Sequence, residues 1–124
     1  MAPGPAKPDR IRWLDVEGER VLLVDLSYCP HFKVEELIRN ARQVIRSQPL
    51  GSTLVLADFT QAEVDLRLVA LIKEVAALDQ PHVKGSAWVG GESLSELWHA
   101  AIERVSNRKF YRFETRGEAL RFLL

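Results

Sequence analysis

A single cysteine, Cys29, excludes an intramolecular disulfide and a cysteine-built zinc site, and the three histidines, His31, His82 and His99, stand too far apart for a metal-ligand spacing. Net charge is missing as well. The 17 basic side chains cancel the 17 acidic ones, so the chain has no overall field to steer it towards DNA, RNA or an anionic membrane. No apolar run approaches the roughly 20 residues of a membrane span, and no apolar signal region opens the sequence. The expectations are a free thiol in a reducing cytoplasm, no nucleic acid, no membrane insertion and no cofactor. The glycine pair Gly90-Gly91 does not alter this, because the lysine and the spacing of a phosphate loop are absent.

What is present is apolar residue in quantity, 47% of 124 residues, ample for one core and too little for two. Met1 to Asp9 holds Pro3, Gly4, Pro5 and Pro8 and reads as a disordered tail, leaving 10–124 as a single α/β domain. The domain is organised around Ser52 to Thr60, an apolar run that ends in Asp58 and reads as a central strand covered on both faces. Before it, Ile11 to Val16 and Arg20 to Leu26 are close enough for an antiparallel hairpin. Val34, Leu37, Ile38, Ala41, Val44 and Ile45 then recur at helical spacing. After it come a helical pattern over Ala62 to Leu78, a strand over His82 to Val89, a helix through Leu94, Leu97, Trp98, Ala101, Ile102 and Val105, a short strand at Phe110 to Phe113, and a terminal helix. The order ββαβαβαβα predicts a mixed, mainly parallel sheet of about five strands with about four helices.

Parallel strands bring their carboxyl ends to one rim, so Asp25 with Ser27, Asp58 with Thr60, and Gly90, Gly91 and Ser93 form the candidate edge. Three Ser/Thr-to-Glu spacings, Thr60 with Glu63, Ser93 with Glu96 and Thr115 with Glu118, read as capping boxes at helix starts, which accounts for these hydroxyls without chemistry. Asp25 and Asp58 read as satisfied strand-end carboxylates, with an acid-base or magnesium pair as the sharper alternative. Cys29 and His31 lie two residues apart in one loop, where side chains rarely meet, so an idle cysteine is expected. The excess of Arg104, Arg108, Lys109, Arg112, Arg116 and Arg121 over Glu114 and Glu118 reads as a solvated face. On the second helix Leu66, Val69 and Ala70 lie off the main apolar stripe, a surplus that suits either burial against a neighbour or an exposed contact surface.

An aspartate ending the third strand also occurs in phosphoacceptor receiver domains. Those need an acidic pair ending the first strand and a lysine ending the last, where this chain has Asp25 alone and Arg112-Phe113. The element order, with Val21 to Leu26 and Leu54-Val55-Leu56-Ala57-Asp58-Phe59-Thr60, instead resembles the STAS domain family, the anti-sigma factor antagonist fold, over nearly all the chain after the tail. The branch it is most similar to is that of small, stand-alone bacterial proteins grouped with STAS and CRAL-TRIO lipid-transfer domains. The resemblance implies a regulatory interaction module rather than a catalyst, with a regulatory kinase or a sigma/anti-sigma type factor as partner. In such antagonists an Asp-Ser-Ser-Gly motif opens the helix after the central strand and is phosphorylated on serine. The matching stretch here is Val64-Asp65-Leu66-Arg67-Leu68, in which Asp65 corresponds to the motif's aspartate and Leu66 and Arg67 replace the serines, so no phosphoserine switch carries over.

The functional expectation is therefore a non-enzymatic protein-binding module, able to form a homodimer, with Asp58, Thr60, Gln61, Asp65, Leu66 and Val69 as its contact residues. The alternative is a carrier or sensor of a small apolar or lipid-like ligand, seated beneath Trp88 and Trp98 and held at its polar end by Asp25, Ser27, Gly90, Gly91 and Ser93.

Overall fold

A computed structural model describes residues 9–90, 96–106 and 110–124. The predicted tail, apart from Asp9, and the calls on Gly91, Ser93 and Leu94 fall outside the described residues, as do the side chains of Leu97 and Val105.

β1 (Ile11–Val16) and β2 (Glu19–Asp25) form the expected antiparallel hairpin. Glu17 and Gly18 turn it with φ of 52° and 84°, the left-handed pair that a two-residue hairpin turn requires. α1 (His31–Arg46) buries Val34, Leu37, Ile38, Ala41 and Ile45, one face of its apolar periodicity. β3 (Thr53–Asp58) follows, and every one of its residues is buried. The chain continues through α2 (Leu66–Asp79), β4 (Val83–Val89), α3 (Glu96–Ser106), β5 (Tyr111–Phe113) and α4 (Arg116–Leu123).

The strands lie in the order β1-β2-β3-β4-β5, antiparallel at the first pair and parallel at the other three. Each crossover moves one strand in the same direction, and one handedness of crossover then sends α1, α2 and α3 to the same face. The core divides accordingly. On the first face Leu22, Val24, Val55, Ala57 and Trp88 meet the buried residues of α1 and α2 and Ile102 of α3. On the second, Val21, Leu23, Leu54, Leu56, Ala87 and Val89 meet Ala119 of α4, with Leu120 and Leu123 packed alongside.

α2 starts four residues later than the apolar pattern predicts. Asp65 caps it, Oδ1 accepting from Leu68 N at 2.8 Å. Thr60 and Glu63 therefore form no capping box, because residues 59 to 65 are loop with Gln61 at a φ of 53°. Thr115 does cap α4 as expected, its Oγ1 accepting from Glu118 N at 3.2 Å. The apolar surplus of α2 also resolves: Leu68, Val69, Ile72 and Ala76 face the core, and Leu66 and Ala70 face out.

Candidate functional site

The carboxyl rim of the sheet is built by two loops that continue the strand pairing after the strands have ended. Leu26 N donates to Asp58 O at 2.9 Å and Tyr28 N to Thr60 O at 2.8 Å, so the β2–α1 and β3–α2 loops stay zipped for two more residues. Glu63 N then donates to Cys29 O at 3.0 Å. The side chain of Glu63 completes the join. α1 begins at Pro30 without a side-chain cap of its own, and Glu63 Oε1 accepts from His31 N at 3.2 Å, a cap supplied from the neighbouring loop. His31 Nδ1 stands 3.7 Å from the same oxygen.

This zipping holds two non-glycine residues in the left-handed region, Tyr28 at a φ of 58° and Gln61 at 53°. For a residue as bulky as tyrosine that conformation is uncommon and costs on the order of 1–3 kcal/mol, which the surrounding hydrogen bonds must outweigh. Tyr28 stands 73% exposed, Phe32 in the first turn of α1 65% and Leu66 at the start of α2 71%. Sequence reasoning missed Tyr28 and Phe32. Their signal was available in the pair of aromatics that brackets Cys29-Pro30-His31: the exposure of Tyr28 depends on the loop conformation, whereas Phe32 lies opposite the buried stripe of α1 and could have been read from its period.

Beneath the rim, on the α4 side of the sheet, lies a charge cluster. Asp25 and Asp58 are register partners at the ends of β2 and β3, and both share the face of the leucines two residues before them. Arg116, the first residue of α4, spans the two: Nε donates to Asp58 Oδ2 at 2.8 Å and Nη2 lies 3.1 Å from Asp25 Oδ1. Arg10 closes the other side, Nη1 donating to Ser27 O at 2.9 Å and standing 3.5 Å from Asp25 Oδ1. Burial alone would raise the Asp25 carboxyl, but hydrogen bonds from the Ser27 hydroxyl and amide and the charge of Arg116 outweigh it and hold the group below the ordinary carboxylate range. Burial likewise pulls Arg116 down, and its bonds and charge contacts with Asp58 and Asp25 reverse this and raise it. A carboxylate pair bridged by arginine in this way is a structural tie.

The expected contact residues separate. Asp58 is 5% exposed and engaged by Arg116, and Val69 is 6% exposed within the core, so neither can touch a partner. The reason for Val69 is that it shares with Leu68, Ile72 and Ala76 the face that α2 turns to the core. Thr60, Gln61, Asp65 and Leu66 remain accessible along the zipped rim. The ligand-binding set is divided by the sheet itself: Asp25 and Ser27 belong to the α4-side cluster, and Trp88 faces the helices α1 to α3. There Trp88 is packed among Phe59, His99 and Phe110, with ring centroids 5.0, 5.3 and 4.6 Å away, and Trp98 packs partly buried against the same core. Gly90 has a packing role. At its φ of 73° an added Cβ would lie 2.8 Å from Thr60 Cα, so only glycine lets β4 end so close to β3.

Cys29 is buried, and desolvation raises its thiol despite the nearby positive charge of Arg10. His31 turns to Glu63 and edge-on to Phe32. Among the described residues no cluster of His, Cys, Asp and Glu could hold a metal ion, and no helix is long and apolar enough to cross a membrane.

No family model matches the chain, and no solved structure matches it. It is similar to elongation factor Ts of Carboxydothermus hydrogenoformans, 33% identical over 86 residues. That stretch is 69% of this chain and 39% of the elongation factor, so the likeness covers well under half of that protein.

Proposed function

We propose that this chain is a non-enzymatic regulatory interaction module of the STAS type that binds another protein through its zipped rim. Tyr28, Phe32 and Leu66 are the apolar anchors, with Thr60, Gln61 and Asp65 as the polar positions among them. The observation that carries the reading is the exposure of three large apolar side chains, one on the β2–α1 loop and two in the first turns of α1 and α2, where two loops locked to each other hold two left-handed non-glycine residues. Scattered exposed apolar groups are ordinary on protein surfaces. A rigid surface that presents them together loses little further entropy on binding, and aromatic anchors commonly carry interface energy.

The resemblance supports the same location. Leu66 follows the N-cap Asp65 as the phosphorylatable serine follows the aspartate in STAS antagonists, and it points to solvent. With leucine in that place, binding would be constitutive with respect to a serine kinase. A regulatory kinase or a sigma/anti-sigma type factor is the partner class the resemblance implies. The raised thiol of Cys29 and the engagement of His31 by Glu63 weigh against nucleophilic catalysis at the rim. The elongation factor's name suggests a setting in translation, and no residue role comes with it.

The test is a photo-reactive benzoyl-phenylalanine placed at Phe32 or Leu66 in living cells, with Leu50, 73% exposed but outside the rim, as control. Both rim positions should give the same heterologous adduct, at several times the yield from Leu50, and Leu66→Asp should reduce the Phe32 adduct at least tenfold. Equal yield from Leu50, or an adduct indifferent to Leu66→Asp, would overturn the reading. An adduct between two copies of the chain would replace it with self-association.

A further inference from the structure

The two edges of the sheet are unequal. β5 ends one side with three residues, whereas β1 presents six on the other in unbroken register with β2. The hairpin decides which backbone groups of β1 are engaged, because antiparallel pairs alternate between hydrogen-bonded and non-bonded. Val16 and Glu19 close the two-residue turn as a bonded pair, and at the far end Asp25 N donates to Arg10 O at 2.7 Å. Arg10, Arg12, Leu14 and Val16 therefore turn their N–H and C=O groups to β2, and Ile11, Trp13 and Asp15 turn theirs outward. Among the described residues no strand lies beyond them. The side chains of this edge are also half covered, Ile11 and Trp13 on the side of α1 to α3, Leu14 and Val16 on the side of α4.

Proteins guard such an edge with proline, a bulge, or charges that repel a second strand. β1 has no proline and no bulge, and its charges fall into two groups of opposite sign. Arg10 and Arg12 stand at its start, and Asp15 near its end is followed by Glu17 and Glu19. Asp9 and Arg20 lessen this contrast without reversing it. Two copies paired in parallel would set like ends together, and antiparallel pairing sets the basic end on the acidic one. We propose that β1 is a self-association edge, to which a second copy of this chain adds its own β1 antiparallel, about a two-fold axis normal to the joined sheet. Such an axis keeps every residue on its own face, so odd positions meet odd positions. With Trp13 opposite Trp13 and Ile11 opposite Asp15, each outward N–H and C=O of the three residues gains a partner. Arg20, whose guanidinium carbon lies 4.1 Å from the centre of the Trp13 ring, then comes beside Asp15 of the other copy. A contact one strand wide falls at the small end of specific interfaces, so the affinity is micromolar. None of these residues belongs to the rim surface.

The experiment is sedimentation velocity of the full chain from low micromolar to several hundred micromolar concentration, with amide exchange as the site-resolved readout. The mass should rise towards that of two chains, and the amides of Ile11, Trp13 and Asp15 should slow in step with it while those of β5 keep their rates. Asp15→Pro removes an outward N–H and no bond to β2, a change that edge strands tolerate, and should weaken association at least tenfold. Ile11→Pro makes the same change at the other end should the first variant not fold. Asp15→Arg and Arg20→Asp should each weaken self-association and should pair with one another when mixed, because the mixed dimer restores opposite charges at both contacts. A mass that stays that of one chain, or association that persists in a folded proline variant, would overturn the proposal. Mixing that restores nothing would overturn the register. A dimer abolished by Leu66→Asp and untouched by Asp15→Pro would place self-association at the rim and overturn the edge.

Discussion

Asp58 ends the central strand with its side chain almost wholly buried, a position a carboxylate tolerates only when paired and hydrogen-bonded. The pairing comes from Arg116, 58 residues further along, and from the amide of Thr60, which donates to Oδ1 at 2.9 Å. Arg116→Ala would strand one buried and one half-buried carboxylate. Removal of one partner of a fully buried pair costs about 3–5 kcal/mol. Because Arg116 is 36% exposed, solvent screening brings the expected cost to roughly 1–3 kcal/mol, with Arg116→Lys intermediate because it keeps the charge and loses the fork. Chemical denaturation checks this. The acid dependence has a definite sign. The native Asp25 carboxyl is held below its ordinary value, so its contribution is fully present above about pH 4 and is lost as the pH falls through the lowered native value. Arg116→Ala should flatten that acid limb, and an unchanged limb would show that Ser27 and Arg10 hold Asp25 without it. None of this tie could be read locally. Arg116 looks like one of several solvated basic residues, although the period of two in Val21-Leu23-Asp25 and Leu54-Leu56-Asp58 does put both carboxylates on one face.

At the scale of elements, the strands and helices were legible because each carries a long apolar period, and the errors gathered where a loop is apolar without being helical. Ala62 and Val64 continue the stripe of α2 backwards, and Thr60 with Glu63 imitates a capping box, so the pattern runs through the loop to the wrong start. What breaks it is tertiary: Ala62 is buried against the core from a loop position, and Glu63 is drawn to the uncapped start of α1. The two starts differ in what a mutation should do. Asp65→Ala removes the observed cap and should cost about 1 kcal/mol of stability, whereas Thr60→Ala should cost less than half of that. Glu63→Ala should destabilise the start of α1 rather than α2, seen as faster amide exchange in the first turn after Pro30. Equal costs for Asp65→Ala and Thr60→Ala would restore the earlier start. The same zipping explains why the contact surface was only partly visible: Leu66 and Phe32 sit in helical patterns that can be read, and Tyr28 owes its exposure to a loop conformation that cannot.

For the whole molecule the sequential strand order is decisive. A sheet whose order never reverses has no switch point in its strand order. It also covers its faces unequally, with three helices on one side and the eight residues of α4 on the other. A helix that short has little stability of its own, and its place depends on Ala119, Leu120 and Leu123 against the sheet and on the Arg116 tie at its start. Native-state hydrogen exchange should therefore find the α4 amides opening at a free energy well below that of β3, in a step that exposes the layer of Leu23, Leu54 and Leu56 without global unfolding. Arg116→Ala should lower the α4 opening energy more than that of β3. Should the α4 amides instead exchange with the same free energy as β3, the helix belongs to one cooperative unit with the sheet, and the arginine tie stabilises the whole fold and not a hinged cover.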